Sequence, residues 1–479
     1  LEDYMDILES VPAYLEGLAQ YEKEKAAAGL FMSQADATAV VKQCDQIMDP
    51  GLLENGSHFL QVTFAERLEE LIASGVIDAS QRESLISEDD RLLRTVVAPA
   101  YVALADDIFL LSDSGSLEGS VCQATGGSAY YTYLLRRNTG TRRTPEEVNE
   151  LLSAQFQSLL SQLQELLARY REQTGGMPQT LSLSAFPLLD PQEILTDLQE
   201  RISTDFPAIP ALSGSTFTCI TKAVAPSMEE YTSPAFYLTP PLDDLGRNVI
   251  YINNASTPPG LELYTTLAHE GYPGHLYQTV YSQSHENAST DNPVRNVLSF
   301  GGYVEGWAYY VENISYDYAA ELLTQSGGSE NDLLLVQIAR LERNLQVNLY
   351  CLLDLAIHYY GADRQDVLRS LSAFGITQQE TSASIYNYIR MEPTTYLKYY
   401  LGYLEILSLQ EQARAVWGDA YTPLRFHTFL LQAGPSDFGN LERLLKGRET
   451  ETPVEEGLSA SMANLFFLKP MEIPHQVCQ

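Results

Sequence analysis

Apolar side chains recur every three or four positions along most of the chain, a spacing typical of helices with one buried face. The first such segment covers residues 1–28. A longer one begins at Thr144-Pro145-Glu146-Glu147, which combines an N-cap hydroxyl, a first-turn proline and two acids at the positive end of a helix. It runs to about residue 172, and its leucine-rich part lasts only about two to three heptads. We therefore interpret it as one helix of a bundle rather than a dimer zipper.

The pattern changes between about residues 176 and 260, where proline and glycine are frequent and β-branched or aromatic residues cluster. Three runs, 216–220, 235–238 and 248–253, predict short strands of a small sheet. Helical spacing then resumes at Leu261 and continues, with breaks, to about residue 445. The fold class predicted is therefore mostly α with a small β-sheet insert.

We expect three parts that form one integrated catalytic unit. They are an N-terminal helical part (1–175), the β-containing insert (176–260) and a C-terminal helical part (261–479).

The composition is that of a folded protein, because hydrophobic residues make up 45% of the chain and charged residues only 19%. The 63 acidic and 29 basic residues give a formal net charge of −34. This charge repels polyphosphates and argues against nucleic acid or an anionic membrane surface as a partner. No run of about 20 apolar residues is present, so the sequence predicts no membrane span. A cationic or metal-dependent partner fits better, and the oligomeric state stays open.

The five cysteines are far apart and lack CxxC spacing, so we interpret them as small buried residues rather than zinc or disulfide positions. The sequence begins with Leu1 and shows no basic or apolar leader. We expect that a signal or lipoprotein leader was removed upstream. This favours an extracytoplasmic (secreted) or lipoprotein-anchored location, while a cytoplasmic one stays open.

The strongest chemical signal is His269-Glu270-Gly271-Tyr272-Pro273-Gly274-His275, which holds two of only seven histidines. Neutral imidazoles bind zinc well, and a carboxylate beside one of them can take a proton from an attacking water, as in the HExxH pattern. Here the histidines are six residues apart rather than four, and on a regular helix their rings would diverge. Pro273 and Gly274 predict a bulge or short loop that restores convergence. The alternative is a Pro-Gly helix break with two unrelated histidines.

A third ligand is expected from the apolar, aromatic segment 301–312, which contains Glu305 and Glu312. A carboxylate is costly to bury unless it meets a cation or a metal. The two acids are seven residues apart and share one helix face, so one can bind the metal while the other orients a ligand. The alternative is one solvated acid and one salt bridge. Gly306 would permit the close approach of another backbone or of a substrate.

Two side chains are candidates for stabilising an oxyanion. His358 follows Asp354 by one helical turn, so that carboxylate can orient the ring, although a lone histidine is at least as often a core residue. Tyr399 belongs to a cluster of four tyrosines between residues 396 and 403. Phenol hydroxyls are suitable donors to a developing negative charge, whereas most such clusters serve packing.

At these residues the sequence resembles a large bacterial family known as domain of unknown function 885. The matching strings are SPAFYLTPPLDD (233–244), RNVIYIN (247–253), LAHEGYPGHLYQ (267–278) and EGWAYYVE (305–312), and further likeness spans nearly the whole chain. Family members are similar in helical architecture and site layout to zinc peptidases of the thimet oligopeptidase, angiotensin-converting enzyme and thermostable carboxypeptidase group. The resemblance implies a large helical, metallopeptidase-like body with a central cleft.

The resemblance also implies roles for single residues. It implies Glu270 as the general base, and the following ligands for Zn²⁺: His269, His275 and Glu305. Tyr399 matches a late tyrosine of the family, and we favour it over His358 because a phenol stays a donor across neutral pH. The family usually has Pro-Gly-Gln-Ala shortly before this tyrosine, where the present chain has Pro393-Thr394-Thr395-Tyr396.

In such peptidases an edge strand beside the metal helix pairs with the extended substrate. The resemblance assigns this role to residues 249–253, and we expect Tyr237, Ile252 and Asn253 to contact substrate. A basic cluster between residues 136 and 143 offers a second contact, in which Arg136 and Arg137 would capture a substrate carboxylate. The alternative for this cluster is a solvated surface turn.

These features predict zinc-dependent hydrolysis of peptide bonds in short, extended peptides, with Glu270 as the general base. The alternative is a non-catalytic, metal-stabilised peptide- or ligand-binding protein. Both need the two histidines and Glu305, but only the enzyme needs Glu270. Side-chain preference, endo or exo cleavage and the native metal stay open.

Overall fold

The computed structural model describes residues 1–447, except 115–119, 179–185, 211–216, 231, 242–243 and 285–297. As predicted, the described chain is mostly α-helical and contains a small three-stranded sheet. It divides into two compact units, residues 1–125 with 223–233, and residues 126–222 with the chain from 234 onward. Within the described residues, no helix combines the length and the apolar character needed to cross a membrane.

The first unit consists of helices whose apolar faces pack on one another. They are α1 (Glu2–Ala27), α2 (Gln34–Ile47), α3 (Pro50–Asn55), α4 (Phe59–Ala73), α5 (Arg82–Leu92) and α6 (Ala98–Leu111). The amphipathic pattern at residues 1–28 thus predicts α1 correctly. Leu15, Ala37 and Ile108 are buried in one shared apolar cluster of this unit, which gives α1, α2 and α6 their common core.

The second unit contains the longer helices and the segments that carry the candidate site residues. Its helices are α7 (Gly127–Thr139), α8 (Pro145–Thr174), α9 (Pro191–Arg201), α10 (Leu261–Glu270), α11 (His275–Ser284), α12 (Gly301–Gln325), α13 (Glu330–His358), α14 (Arg364–Ala373), α15 (Gln379–Met391), α16 (Thr395–Trp417), α17 (Pro423–Ala433) and α18 (Phe438–Leu445). The predicted cap of α8 is present, because Thr144 Oγ1 accepts from the Glu147 N–H and the Glu147 carboxylate accepts from the Thr144 N–H. The leucine-rich face of α8 packs along α13, as expected for a bundle helix.

The two units do not follow the boundaries expected at residues 175 and 260. Helix α8 packs on α13, and α7 packs on α12 and α16, so these two early helices belong to the second unit. The reason is that amphipathic helices are grouped by the faces they bury, which sequence proximity does not fix.

The sheet has the strand order β1-β3-β2, where β1 is Thr218–Ala223, β2 is Ala235–Leu238 and β3 is Arg247–Ile252. The edge-strand prediction for residues 249–253 is therefore wrong, because β3 is the middle strand. Ile252 and Asn253 are only 4% and 1% exposed, which removes them from contact with a substrate. Strand β2 pairs antiparallel with β3 and packs beside α10, so β2 is the edge strand nearest the predicted metal helix.

Helices α12 and α16 approach each other through glycines. A Cβ atom placed on Gly306 would lie 2.5 Å from the Gly402 carbonyl carbon, and one placed on Gly402 would lie 2.2 Å from the Gly302 carbonyl oxygen. As expected, Gly306 permits the close approach of another backbone, which is that of Gly402. This contact sets the separation of the two helices that carry Glu305 and Tyr399.

We predict that Gly402→Ala lowers the melting temperature by several degrees, because the added methyl group forces α16 away from α12 and overpacking of this kind costs about 1–3 kcal/mol. Thermal unfolding followed by circular dichroism measures the effect. Gly17→Ala in α1 is the control, since nothing lies within 4 Å of a Cβ placed there and alanine favours helix. An equal loss in both variants would contradict the close-contact explanation.

Candidate metal centre

The predicted interruption between the two histidines is present. Helix α10 ends at Glu270, and α11 begins at His275. The Tyr277 N–H donates to the Gly271 carbonyl six residues earlier, whereas a helical N–H donates to the carbonyl four residues earlier. The loop therefore contains two extra residues. A Cβ on Gly274 would lie 1.7 Å from the His269 carbonyl oxygen, which makes glycine necessary at this position. The buried indole N–H of Trp307 donates to the Pro273 carbonyl at 2.8 Å and fixes the loop against α12.

The loop brings His269 and His275 together with Glu305. Their ligand atoms all lie within 4.8 Å of one another, and within the described residues this is the one group of three or more His, Cys, Asp or Glu side chains close enough to share an ion. Glu305 Oε2 lies 3.7 Å from His269 Nε2 and 3.3 Å from His275 Nε2. Ligand atoms around a tetrahedral zinc with bonds of about 2.0–2.1 Å are about 3.4 Å apart, so the spacing suits such an ion.

The residues around this cluster also suit a cation. Glu305 Oε2 is buried and has no hydrogen-bond partner among the described residues. Burial raises the pKa of Glu305, but the two imidazoles outweigh this effect and hold the pKa well below its usual range. A buried, charged carboxylate without a hydrogen bond is costly unless a positive charge lies beside it.

Glu312 supports His269 from the opposite side. Its Oε2 lies 3.0 Å from His269 Nδ1, and its Oε1 accepts a hydrogen bond from Arg343 Nε at 2.9 Å. Burial raises the pKa of Glu312, whereas the charges of Arg343 and His269 lower it to about 2. In metal sites a carboxylate on one ring nitrogen commonly fixes the imidazole so that the other nitrogen can bind the metal. Here Nε2 of His269 is the nitrogen that faces Glu305. The sequence marks Arg343 as a cation in an apolar helix but does not indicate this partner.

Glu270 lies next to His269 at the end of α10, and its Oε2 accepts a hydrogen bond from the Tyr237 backbone N–H at 2.8 Å. The Asn253 N–H donates to the Pro234 carbonyl, so the backbone groups of residue 234 face β3. Backbone groups alternate in direction along an antiparallel strand, so the N–H of residue 237, three positions later, points away from β3. The edge of β2 therefore faces Glu270. The Tyr237 hydroxyl instead points inward and donates to Asn248 Oδ1 at 2.6 Å, so Tyr237 reaches this centre through its backbone.

Tyr399 also lies at the centre. Its ring stacks on His269 with centroids 5.9 Å apart. Burial, and after it the charges of Glu305 and Glu270, raise the pKa of Tyr399 far above its usual value, so the hydroxyl keeps its proton. The phenol is thus a hydrogen-bond donor beside the two carboxylates.

The start of α16, which carries Tyr399, is held by Asp354. Thr394 adopts a left-handed φ of 70°, a conformation that glycine takes more readily. Its N–H donates to Asp354 Oδ2 at 2.7 Å, and its hydroxyl accepts from Asn138 Nδ2 at 2.7 Å. These contacts explain how threonine occupies the position where the family pattern has glycine. Asp354 also accepts a hydrogen bond from the Tyr131 hydroxyl, and burial raises the pKa of Asp354 to about 7.

His358 lies away from Glu305. It is buried, its Nε2 lies 2.9 Å from the Ile389 carbonyl in α15, and its ring stacks on Tyr131. At 1.5 Å per residue it is about 22 Å further along α13 than Arg343, which contacts the centre through Glu312. Burial lowers the pKa of His358 to about 4, so the ring is neutral. Of the two candidates for the oxyanion role, Tyr399 is therefore the one at the centre.

The basic cluster does not act as a single group. Arg142 packs across Gly439, and Arg143 binds Glu405 at 3.0 Å. Arg136 and Arg137 are exposed in the last turn of α7. Arg137 lines a cavity of about 740 Å³ that also reaches Glu305, whereas Arg136 is not among the residues around it.

The structure is that of a helical protein with a His/His/Glu cluster that could hold a metal ion and a carboxylate next to it in sequence. The family model described as "Bacterial protein of unknown function (DUF885)" matches residues 1–445, and the chain belongs to this family. No protein of curated function matches the sequence.

Two solved structures share the fold. One is a "putative lipoprotein" from Colwellia psychrerythraea, with a TM-score of 0.74 and 22% identity over 93% of this chain and 75% of that one. The other is a "putative lipoprotein of unknown function" from Shewanella oneidensis, with a TM-score of 0.57 and 16% identity over 93% of this chain and 78% of that one. At these identities the likeness concerns the fold alone.

Proposed function

We propose that this protein is a zinc-dependent peptidase that hydrolyses amide bonds in short, extended peptides. The observation that carries the proposal is the convergence of His269, His275 and Glu305 next to Glu270, which combines three candidate ligands with a carboxylate outside the ligand set. Zinc enzymes commonly bind the metal with three side chains and leave one position for water or substrate.

The charges of the centre support a divalent cation. Glu270, Glu305 and Glu312 bring three carboxylates together, and Arg343 supplies one fixed positive charge. Imidazoles bind a metal in their neutral form, and in that state the group would carry a net charge of about −2, which a divalent ion would neutralise. A zinc ion held by the three ligands would supply Lewis acidity toward the scissile carbonyl and lower the pKa of a water molecule.

Glu270 is suited to move the proton. It takes the proton from the attacking water as the new carbon–oxygen bond forms, and it delivers that proton to the leaving nitrogen as the carbon–nitrogen bond breaks. Its hydrogen bond to the Tyr237 N–H fixes the carboxylate between α10 and β2. The second oxygen of Glu270 is then available for the water.

The edge of β2 is suited to hold the substrate. An extended peptide can add to an exposed strand edge through backbone hydrogen bonds, which recognises the main chain whatever its side chains are. In this proposal the peptide lies along β2, with its scissile carbonyl between Glu270 and Tyr399. The Tyr399 hydroxyl then donates to the oxygen on which negative charge develops.

We also propose an extracytoplasmic or lipoprotein-anchored location, in keeping with the lipoprotein descriptions of the two structural neighbours.

Glu270→Gln is predicted to keep about one zinc per chain and to lose peptide hydrolysis by at least about 100-fold, because glutamine cannot accept the proton from water. Metal analysis of protein purified without chelator and hydrolysis of short peptides followed by mass spectrometry measure the two quantities. Glu321→Gln, an exposed acid on α12, is the matched control and should keep both. Zinc binding without hydrolysis in the unmodified protein would favour the non-catalytic binding protein.

Tyr399→Phe is predicted to lower kcat by about 100- to 1000-fold, the usual effect of removing an oxyanion donor, while the zinc content and melting temperature stay nearly unchanged. Steady-state kinetics on the same peptides measures the change. Tyr403→Phe, one turn later on α16 and packed among Tyr309, Tyr310 and Tyr400, is the control. An unchanged kcat in Tyr399→Phe would remove this residue from the mechanism.

A further inference from the structure

The cavity of about 740 Å³ beside Glu305 has an unusual charge for this protein. Glu305 is the only acid among the described residues around it, and Arg137 and Lys398 are both present. In a chain with 63 acidic and 29 basic residues, a cavity with two cations and one acid stands out. Its volume lies within the usual range of about 300–1,000 Å³ for ligand pockets.

Neither cation is neutralised by a carboxylate among the described residues. Arg137 contacts the neutral side-chain oxygen of Asn138 at 3.2 Å. Lys398 is half-buried and lies next to Tyr399 in the sequence. The stem of Lys398 crosses the start of α12, because a Cβ placed on Gly301 would be 2.7 Å from Lys398 Cδ. This glycine lets the lysine lie along the cavity wall.

A second, independent feature indicates a polar ligand. Gln278 is only 2% exposed, lines the same cavity, and its Nε2 has no hydrogen-bond partner among the described residues. Gln283 lines it as well, and its buried Oε1 also lacks a partner there. Buried polar atoms without partners are rare because each costs about 1–3 kcal/mol, so they indicate groups that a ligand satisfies.

We propose that this cavity binds a carboxylate group of the peptide substrate, with Lys398 and Arg137 supplying positive charge and Gln278 a hydrogen bond. The inference rests on the proposed function only in taking a peptide as the ligand. Gln283 accepts a hydrogen bond from a neighbouring peptide N–H. Gly301 and Glu305 are about 6 Å apart along α12, so the carboxylate lies within about two residues of the bond that is cleaved. The substrates are therefore peptides with a carboxylate close to the scissile bond.

The test measures binding without turnover. Zinc-loaded Glu270→Gln protein is titrated by calorimetry with three peptides: pentaalanine with a free C-terminal carboxylate, the same peptide as its amide, and the amide with glutamate as the last residue. We expect the free acid to bind at least about tenfold more tightly than the pentaalanine amide. Equally tight binding of the glutamate amide assigns the cavity to a side-chain carboxylate, whereas weak binding of that peptide assigns it to the chain terminus.

The same titrations with the Lys398→Met variant test the role of this lysine. Methionine keeps an apolar stem across Gly301 and removes the charge. It should reduce the preference for the acid to less than about threefold. Lys446→Met, which removes the same charge at the end of α18, should leave the preference unchanged. The proposal is overturned if the acid and the amide bind equally, if neither binds, or if Lys398→Met retains the full preference. The peptidase proposal is tested separately, by incubating the zinc-loaded unmodified protein with the three peptides. Cleavage of none of them would contradict that proposal but not the carboxylate site.

Discussion

The contact between the Gly274 backbone and the His269 carbonyl determines the geometry of the whole centre. It lets the chain leave one helix and begin the next within four residues, so that two histidines six residues apart face one point. A side chain at this position would overlap the His269 carbonyl oxygen. The indole of Trp307 then fixes the loop against α12, the helix that supplies both Glu305 and Glu312. Backbone packing therefore brings the three candidate ligands together in the structure.

The surrounding helices hold this assembly at a fixed spacing. The glycine contact between α12 and α16 brings Tyr399 over His269, and Asp354 secures the strained first residue before α16. Arg343 on α13 neutralises Glu312, which in turn orients His269. The strained Thr394 and the buried Glu312 are each satisfied by a partner from another helix. The buried Oε2 of Glu305 has no such hydrogen-bond partner among the described residues, and a cation at this point would offset the cost of burying it.

Part of this arrangement can be predicted from the sequence. The spacing of His269 and His275 around Pro273-Gly274 requires a break, and acids in an apolar helix require cationic partners, so the loop and the grouping with Glu305 were predictable. The strand order was not, because residues 235–238 and 247–252 have equally strand-like sequences and only tertiary packing places β3 in the middle.

Lone polar residues were harder to place than motifs. Asp354 precedes His358 by one turn, a pattern that predicts a pair, yet its carboxylate binds Tyr131 of α7 and Thr394, the residue before α16. Lys398 belongs to no motif, and Gln278 is only the last residue of the family-like string 267–278. Gln278 lies three residues after His275 on a helix that holds several other polar residues. Its meaning depends on a cavity formed by distant segments of the chain.

The most direct test of the account is X-ray diffraction from crystals grown with zinc, with data collected above and below the zinc absorption edge. The account predicts one strong anomalous peak about 2.0–2.2 Å from His269 Nε2, His275 Nε2 and a Glu305 oxygen. It also predicts that the Glu312 carboxylate remains on His269 Nδ1. A zinc peak at another place, or no peak and a direct hydrogen bond between Glu305 and an imidazole, would contradict the central claim that these three side chains form a metal centre.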